Sequence, residues 1–477
     1  MLRKSKPECI NVALGRNLLL AGLLTAVLLV SAASAGARVG AASLIRISSD
    51  TLGTSGAQHA TQVEPDAAAF GSTVVSVFQI GRFFDGGSAA NGFATSTNAG
   101  RSWRSGILPV LTTSSNPPGT ADRATDPSVA FDSLHGRWLA ASLTLSQDST
   151  AVVVSGSRDG LVWDPPVTAI SLGRPSQQTD EGTNLDKSWI TCDNGAASPF
   201  RGRCYVAYTD FALQGVNIGV QSSSDGGATW TPPTFVRVAV DVPGVQPVVR
   251  PNGQLVLVFL DRPGSLFAVR SNDGGATFSD ARELISRVDA HQRRLGPTLL
   301  RVFPLPSTGV DAGGSVYVAW SDCRFRRRCS GNDIVVTHST GGGWTKPRRV
   351  LVRGLAPTAE HVLPGLGVDP ASRGPRARLA LTFYTLRAAG CAPAACRLDV
   401  RMATSSNAGV RWSPAPRLNA RAMRLAWLPR TSTGRMVGDY VASEFAGNRA
   451  VGVFAVAAPP AGGRLNEAIH AAARTVR

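Results

Sequence analysis

Ser223-Ser224-Asp225-Gly226-Gly227-Ala228-Thr229-Trp230 and Ser271-Asn272-Asp273-Gly274-Gly275-Ala276-Thr277-Phe278 are two copies of one eight-residue phrase. Each part of it has a physical use. A short Asp side chain bonds backbone N–H groups across a hairpin. The glycine supplies a positive-φ position at no steric cost. The closing aromatic fills the space between neighbouring sheets. Weaker copies carry Asn for Asp: Ser96-x-Asn98-x-Gly100-x-x-Trp103 and Ser405-x-Asn407-x-Gly409-x-x-Trp412. Ser157-x-Asp159-Gly160-x-x-Trp163 is one residue short, and the stretch from Ser339 to Trp344 is degenerate.

Upstream of the turns runs a second repeat, an apolar and β-branched segment of buried-strand length. It begins at Thr73, Trp138, Cys204, Leu255, Val316, Leu379 and Val451. Seven copies at intervals of roughly 50 to 70 residues match a four-stranded unit with its loops. Before each copy lies a partner segment, clearest in Val63-Glu64-Pro65-Asp66, Thr125-Asp126-Pro127-Ser128, Leu185-Asp186-Lys187-Ser188 and Val245-Gln246-Pro247-Val248. Leu295-Gly296-Pro297-Thr298, Val362-Leu363-Pro364-Gly365 and Val437-Gly438-Asp439-Tyr440 are its weaker forms. Proline is tolerated at a strand start, where no donor is needed.

With 477 residues, 43% hydrophobic and 17% charged, the chain is too long for one ordinary domain and too apolar for wholesale disorder. Gly 50 and Pro 30 favour short strands and turns over long helices. The charge of +17 is almost all arginine, with lysine only at 4, 6, 187 and 346. No nucleic-acid motif accompanies it, so the reading is weak attraction to anionic surfaces and no nucleic-acid partner.

The first 35 residues read as a secretory signal: Arg3, Lys4, Lys6 and Arg16, an apolar run from Leu18 to Val30, then Ala33-Ser34-Ala35. An uncleaved anchor is the alternative. Export suits the six cysteines left after Cys9, which pair as neighbours: Cys192–Cys204, Cys323–Cys329 and Cys391–Cys396. No His pair accompanies them for zinc, and no metal site is assigned.

The eight-residue phrase resembles the Asp-box, or BNR, repeat of the sialidase superfamily of β-propellers. The resemblance spans roughly residues 45–458 and implies an all-β, sialidase-like propeller, with the boxes structural at the blade periphery. Sialidases have six blades, but the seven strand copies favour seven here, and six stays open. The expected organisation is a signal peptide over 1–35, a propeller over 36–458 and a tail over 459–477. A strand around Leu44–Ser48 would close the last unit, and Leu465–Ala471 reads as a short helix.

The same resemblance implies what a sialidase site needs: three arginines for the carboxylate, an Asp acid/base, and a Tyr nucleophile activated by Glu. Bidentate arginine both orients and binds an anionic sugar. Where the family has an Arg-Ile-Pro motif, this chain has Val63-Glu64-Pro65, placing a carboxylate where the ligand's would dock. Arg82 and Asp85 in Ile80–Gly86 resemble the stretch bearing an arginine and the acid/base. Arg262 falls where a second arginine would, Gly438-Asp439-Tyr440 resembles the nucleophile's context with Arg435 nearby, and Glu444 follows. A third arginine has no candidate. The catalytic candidates are therefore Asp85, Tyr440, Arg82, Arg262 and Arg435.

If the partner segments are innermost, their side chains ring the channel: Glu64, Asp66, Asp126, Asp186, Lys187, Gln246 and Asp439. A mostly acidic funnel suits Ca²⁺ or neutral sugar hydroxyls, and paired carboxylates can run glycoside hydrolysis. The function read from this is a secreted, monomeric propeller that recognises a carbohydrate or cell surface without competent sialidase chemistry. The alternatives are an exo-acting glycoside hydrolase using Asp85 and Tyr440, and a scaffold for protein partners.

Overall fold

A computed structural model describes residues 44–173, 185–211, 217–238, 242–261, 264–290, 299–389 and 391–476. Among these, the strands group into seven antiparallel units of four, six of them simple meanders and the seventh completed by an N-terminal strand. The first strands are Gln58–Phe70, Arg123–Asp132, Leu185–Cys192, Val245–Val249, Ser307–Val310, Glu360–Val368 and Ala442–Ala446. Each touches the first strand of the next unit, and the seventh touches the first, so these inner strands close a ring.

The second strand of every unit is the apolar repeat of the sequence, and Cys204–Asp210, Leu255–Asp261 and Val316–Asp322 are buried throughout. A continuous apolar run fits a strand covered on both faces. Here both faces are covered because neighbouring units pack on either side. The largest hydrophobic cluster joins the sixth, seventh and first units, and each of the others spans two adjacent units: Leu139 and Val206 meet between the second and third, Leu257 and Val220 between the third and fourth.

The turn between third and fourth strands does what its residues predict. The Ser223 hydroxyl donates to Asp225 Oδ1 (2.8 Å) and accepts from the Gly227 N–H (2.9 Å), while Thr229 N–H donates to the same carboxylate (3.0 Å). The Asn98 and Asn407 turns repeat this with an amide oxygen. Trp163, Trp230, Phe278 and Trp412 each pack into the cluster shared with the preceding unit. All three cysteine pairs are disulfides.

Three expectations need correcting. Leu465–Ala471 is not helical: Glu467–Thr475 is a strand that pairs with Arg449–Ala457, so the sheet runs beyond residue 458. Alanines give that segment a helical composition, but packing overrides so weak a preference. Leu44–Arg46 pairs outside it as the fourth strand, which is the expected N-terminal closure. In the fifth unit the inner strand is Ser307–Val310, and residues 295–298 lie outside the described ones. In the seventh, the strand begins at Ala442, two residues after Tyr440.

The inner strands approach so closely between the sixth and seventh units that glycine is required. A Cβ at Gly365 or Gly367 would collide with the carbonyl oxygens of Val441 or Ser443. Gly367→Ala should therefore lower stability by about 1–3 kcal/mol through backbone displacement. Urea unfolding checks this, and an unchanged midpoint would contradict the close approach.

Candidate functional site

Three adjacent inner strands carry a bulge at the same level: between Val63 and Asp66, Thr125 and Ser128, and Asp186 and Trp189. The bulged residues are Glu64, Asp126 and Lys187, with φ of 54°, 44° and 51°. Non-glycine residues in this left-handed region cost of order 1–3 kcal/mol each and persist only where the surroundings hold them. A bulge re-aims its side chain. Here all three turn into the mouth of the central channel, where they meet.

Lys187 Nζ lies 3.1 Å from Asp126 Oδ1, 2.9 Å from Asp439 Oδ2 and 3.5 Å from Glu64 Oε1. Arg301 grips Asp439 from the other side with both Nε (2.8 Å) and a terminal nitrogen (2.5 Å). Gln79 donates to Glu64 and to Thr125 Oγ1 (2.8 Å), and Arg82 reaches Gln79 Oε1 (3.3 Å) and the Gly87 carbonyl (3.0 Å). Glu64, Asp126, Lys187, Asp439 and Arg82 are all buried.

Burial alone would pull the Lys187 ammonium down, but Asp126, Asp439 and Glu64 hold it well above the ordinary lysine value. Burial would raise Asp439, yet Arg301 and Lys187 hold its carboxyl far below the usual range. Glu64 goes the other way: burial pushes it up, and Asp439 and Asp126 add repulsion that Lys187 only partly offsets. Tyr440 is pushed well above 10, by burial first and then by the surrounding carboxylates. Its hydroxyl donates to the Pro127 carbonyl (3.3 Å), and its ring stands edge-on to Trp189 at 4.9 Å between centroids.

Beyond Trp189 the channel widens into a cavity of about 220 Å³. Asp66, Glu444, Gln246, Thr308 and Asn194 supply its polar lining. Asp66 accepts from the Val129 N–H (2.9 Å), and burial pushes its carboxyl up to about 7. Glu444 lies well above its ordinary value through burial and the nearby Asp66. Gln246 Oε1 accepts from Thr308 N–H (2.8 Å) and its hydroxyl (3.1 Å), tying the fourth unit to the fifth.

The sequence candidates thus divide. Glu64, Asp126, Lys187, Asp439, Tyr440 and Arg82 converge at the mouth, while Asp66 and Gln246 line the cavity beyond. Asp186 accepts from the Lys187 N–H (2.9 Å) at the rim of this group. Asp85 does not join: its exposed carboxylate pairs with Arg123 (2.7 Å) on a loop. Arg435 does not join either, because its guanidinium bonds the Leu428 carbonyl (2.7 Å). Arg262 lies outside the described residues. The funnel is not an open acidic ring suited to Ca²⁺, because the Lys187 ammonium sits where a cation would. Among the described residues, no group of three or more His, Cys, Asp or Glu side chains is placed to hold a metal ion.

Arg301 is the cation that sequence reasoning missed. It lies in the link before the fifth inner strand, where its N–H donates to the Arg435 carbonyl (2.8 Å) and the Arg435 N–H donates to the Leu299 carbonyl (2.6 Å). Arg435 therefore helps to position a cation that the sequence reading did not nominate.

No family model matches the chain, and no curated protein matches it by sequence. Solved structures do match in fold. The fold resembles the sialidase-like β-propellers. One is the Hadza microbial sialidase Hz136, at 14% identity over 82% of this chain and 75% of that one, with a TM-score of 0.45. The intramolecular trans-sialidase from Ruminococcus gnavus is 12% identical over 70% and 92%, with a TM-score of 0.43. An ulvan lyase of polysaccharide lyase family PL25 is 10% identical over 90% and 95%, with a TM-score of 0.47. The strand pairing described above stands independently of these likenesses.

Proposed function

We propose that the chain is an exported, seven-bladed, Asp-box propeller that recognises a neutral carbohydrate unit in its central channel and lacks sialidase chemistry. The observation that carries this is the self-neutralised mouth. Lys187 and Arg301, the cations that could clamp a sugar carboxylate, are already bound by Asp126, Asp439 and Glu64. An anionic ligand entering there would face four carboxyl side chains, counting Asp186. Tyr440 is also a poor nucleophile, since its environment opposes the phenolate.

The cavity beyond supports a neutral ligand. Gln246, Asn194, Thr308 and two carboxyls biased toward their protonated forms offer donors and acceptors for hydroxyls, and Trp189 offers an apolar ring face. At about 220 Å³ it falls below the ~300–1,000 Å³ of ordinary ligand pockets, which limits it to one small ring.

The test sets an α-linked fluorogenic sialoside and neutral aryl glycosides beside a neutral-glycan array. The expected result is no sialoside turnover, with glycan binding lost in Gln246→Ala. Sialoside turnover that disappears in Tyr440→Phe would overturn the proposal. A second reading rests on the Asp66–Glu444 pair, since a raised carboxyl beside another is the equipment of glycoside hydrolysis. Neutral aryl glycoside cleavage lost in Asp66→Asn would select it.

A further inference from the structure

The chain's net positive charge is confined to one part of the ring. Residues 1–322 carry 25 basic and 25 acidic side chains, whereas residues 323–477 carry 24 and 7. The whole excess of +17 therefore sits in the fifth to seventh units. Between residues 323 and 466, every acidic side chain is buried except Glu444, which is half-buried in the channel. Buried Asp399 reaches Arg387 Nε at 3.5 Å, but no exposed carboxylate in this stretch offsets the arginines.

Seven of those arginines share one face. In a meander whose inner strand starts at the mouth, the loop between second and third strands and the link to the next unit also lie at the mouth end. Arg327, Arg328, Arg387 and Arg464 stand on such loops, Arg353 lies in such a link, and Arg421 and Arg424 flank the end of the sixth unit's fourth strand, all exposed.

The Cys323–Cys329 loop shows how the display is built. Arg324 is spent on Asp322 (Nε to Oδ1, 2.9 Å) and Arg326 on Asp333 (Nε to Oδ2, 3.0 Å). These two anchor the base of the loop. Arg328 and Cys329 then take left-handed φ values of 54° and 52°, a conformation that needs such support. Arg327 and Arg328 are left projecting to solvent.

We propose that the mouth face of the fifth to seventh units binds an acidic polysaccharide, its carboxylate or sulfate groups held by these exposed arginines. The guanidinium fork matches both groups bidentately, which a lysine ammonium cannot do. Exposed cations spread over three units suit a polymer better than a single small anion. A lipid surface fits less well, because the exposed large apolar side chains on this face, Phe84, Phe325 and Leu351, sit on separate loops rather than forming an anchor. The proposal is independent of the channel reading, because none of these arginines lines the cavity.

The test is retention of the full chain on immobilised polygalacturonate and heparin, with neutral dextran and phosphatidylcholine vesicles containing phosphatidylglycerol alongside. One variant combines Arg327→Glu, Arg328→Glu, Arg421→Glu and Arg424→Glu. A control makes the same charge change on the opposite face: Arg104→Glu, Arg158→Glu, Arg201→Glu and Arg411→Glu. The expected result is salt-sensitive retention on the polyanions, weakened about tenfold or more in the first variant and little changed in the control. Equal weakening in both variants would reduce the effect to net charge and overturn the proposal. Binding to the anionic vesicles without retention on either polysaccharide would overturn it as well.

Discussion

Lys187→Met should cost about 3–5 kcal/mol of unfolding free energy at neutral pH, the range for removing one partner from a buried ionic group. The loss exceeds that of a surface pair because Asp126, Asp439 and Glu64 would keep their burial and lose their shared cation. Three inner strands are also held at unfavourable backbone angles by this contact. Adding Asp126→Asn to Lys187→Met should recover part of the loss, since one fewer carboxylate is left uncompensated. A urea series on the single and double variants measures this coupling. A single-variant loss under about 1 kcal/mol would mean that water, not protein, solvates these carboxylates.

The same cluster fixes the sign of its pH dependence. Lys187 has a raised folded value, so its contribution is fully present below the ordinary lysine range and fades as pH rises through the folded one. Asp439 has a depressed value, so its contribution is present above the ordinary aspartate range and fades only as pH falls toward the folded one. The mouth therefore stabilises over a broad middle range, and Lys187→Met should flatten the curve on its alkaline side.

The fold was legible because its punctuation is local. Serine, Asp or Asn, glycine and an aromatic within eight residues specify a turn whose Ser, Asp and Asn side-chain bonds lie inside it, and the second strands are apolar enough to need cover on both faces. The seventh unit was half legible: Leu44–Arg46 was anticipated, but the alanines of Glu467–Thr475 carry a composition that only packing decides. The site was less legible for a different reason. Glu64, Asp126 and Lys187 can be placed on inner strands from sequence, but their convergence depends on bulges that no residue type announces. Reading them as a water-facing acidic ring missed that the lysine among them is the counter-ion. Arg301 had no signal, because its partner Asp439 lies 138 residues away. The arginine excess is a third case, since its location matters more than its size.

Asp66→Asn should make the protein more stable at pH 8 than the parent chain, while leaving it nearly unchanged near pH 4. Burial raises the Asp66 carboxyl from an ordinary 3.8 to about 7, against the opposing N–H groups of Val129 and Ala67. A carboxyl raised on folding binds its proton more tightly in the folded chain than in the unfolded one. Stability is then greatest below the ordinary value, falls as pH climbs from about 4 to about 7, and stays reduced above that. A rise from 3.8 to about 7 corresponds to roughly 4 kcal/mol across the window. Asparagine keeps an oxygen for the Val129 N–H and carries no proton to lose, so the variant's curve should lack that slope. Glu444 sharpens the expectation, because part of its own upward shift comes from Asp66 and should relax in the variant. Thermal melts of both proteins at half-unit intervals between pH 4 and 8 decide it. Parallel curves would mean that Asp66 is ionised and hydrated in the channel. That outcome would also remove the protonated carboxyl on which both neutral-sugar recognition and acid-assisted glycoside cleavage depend.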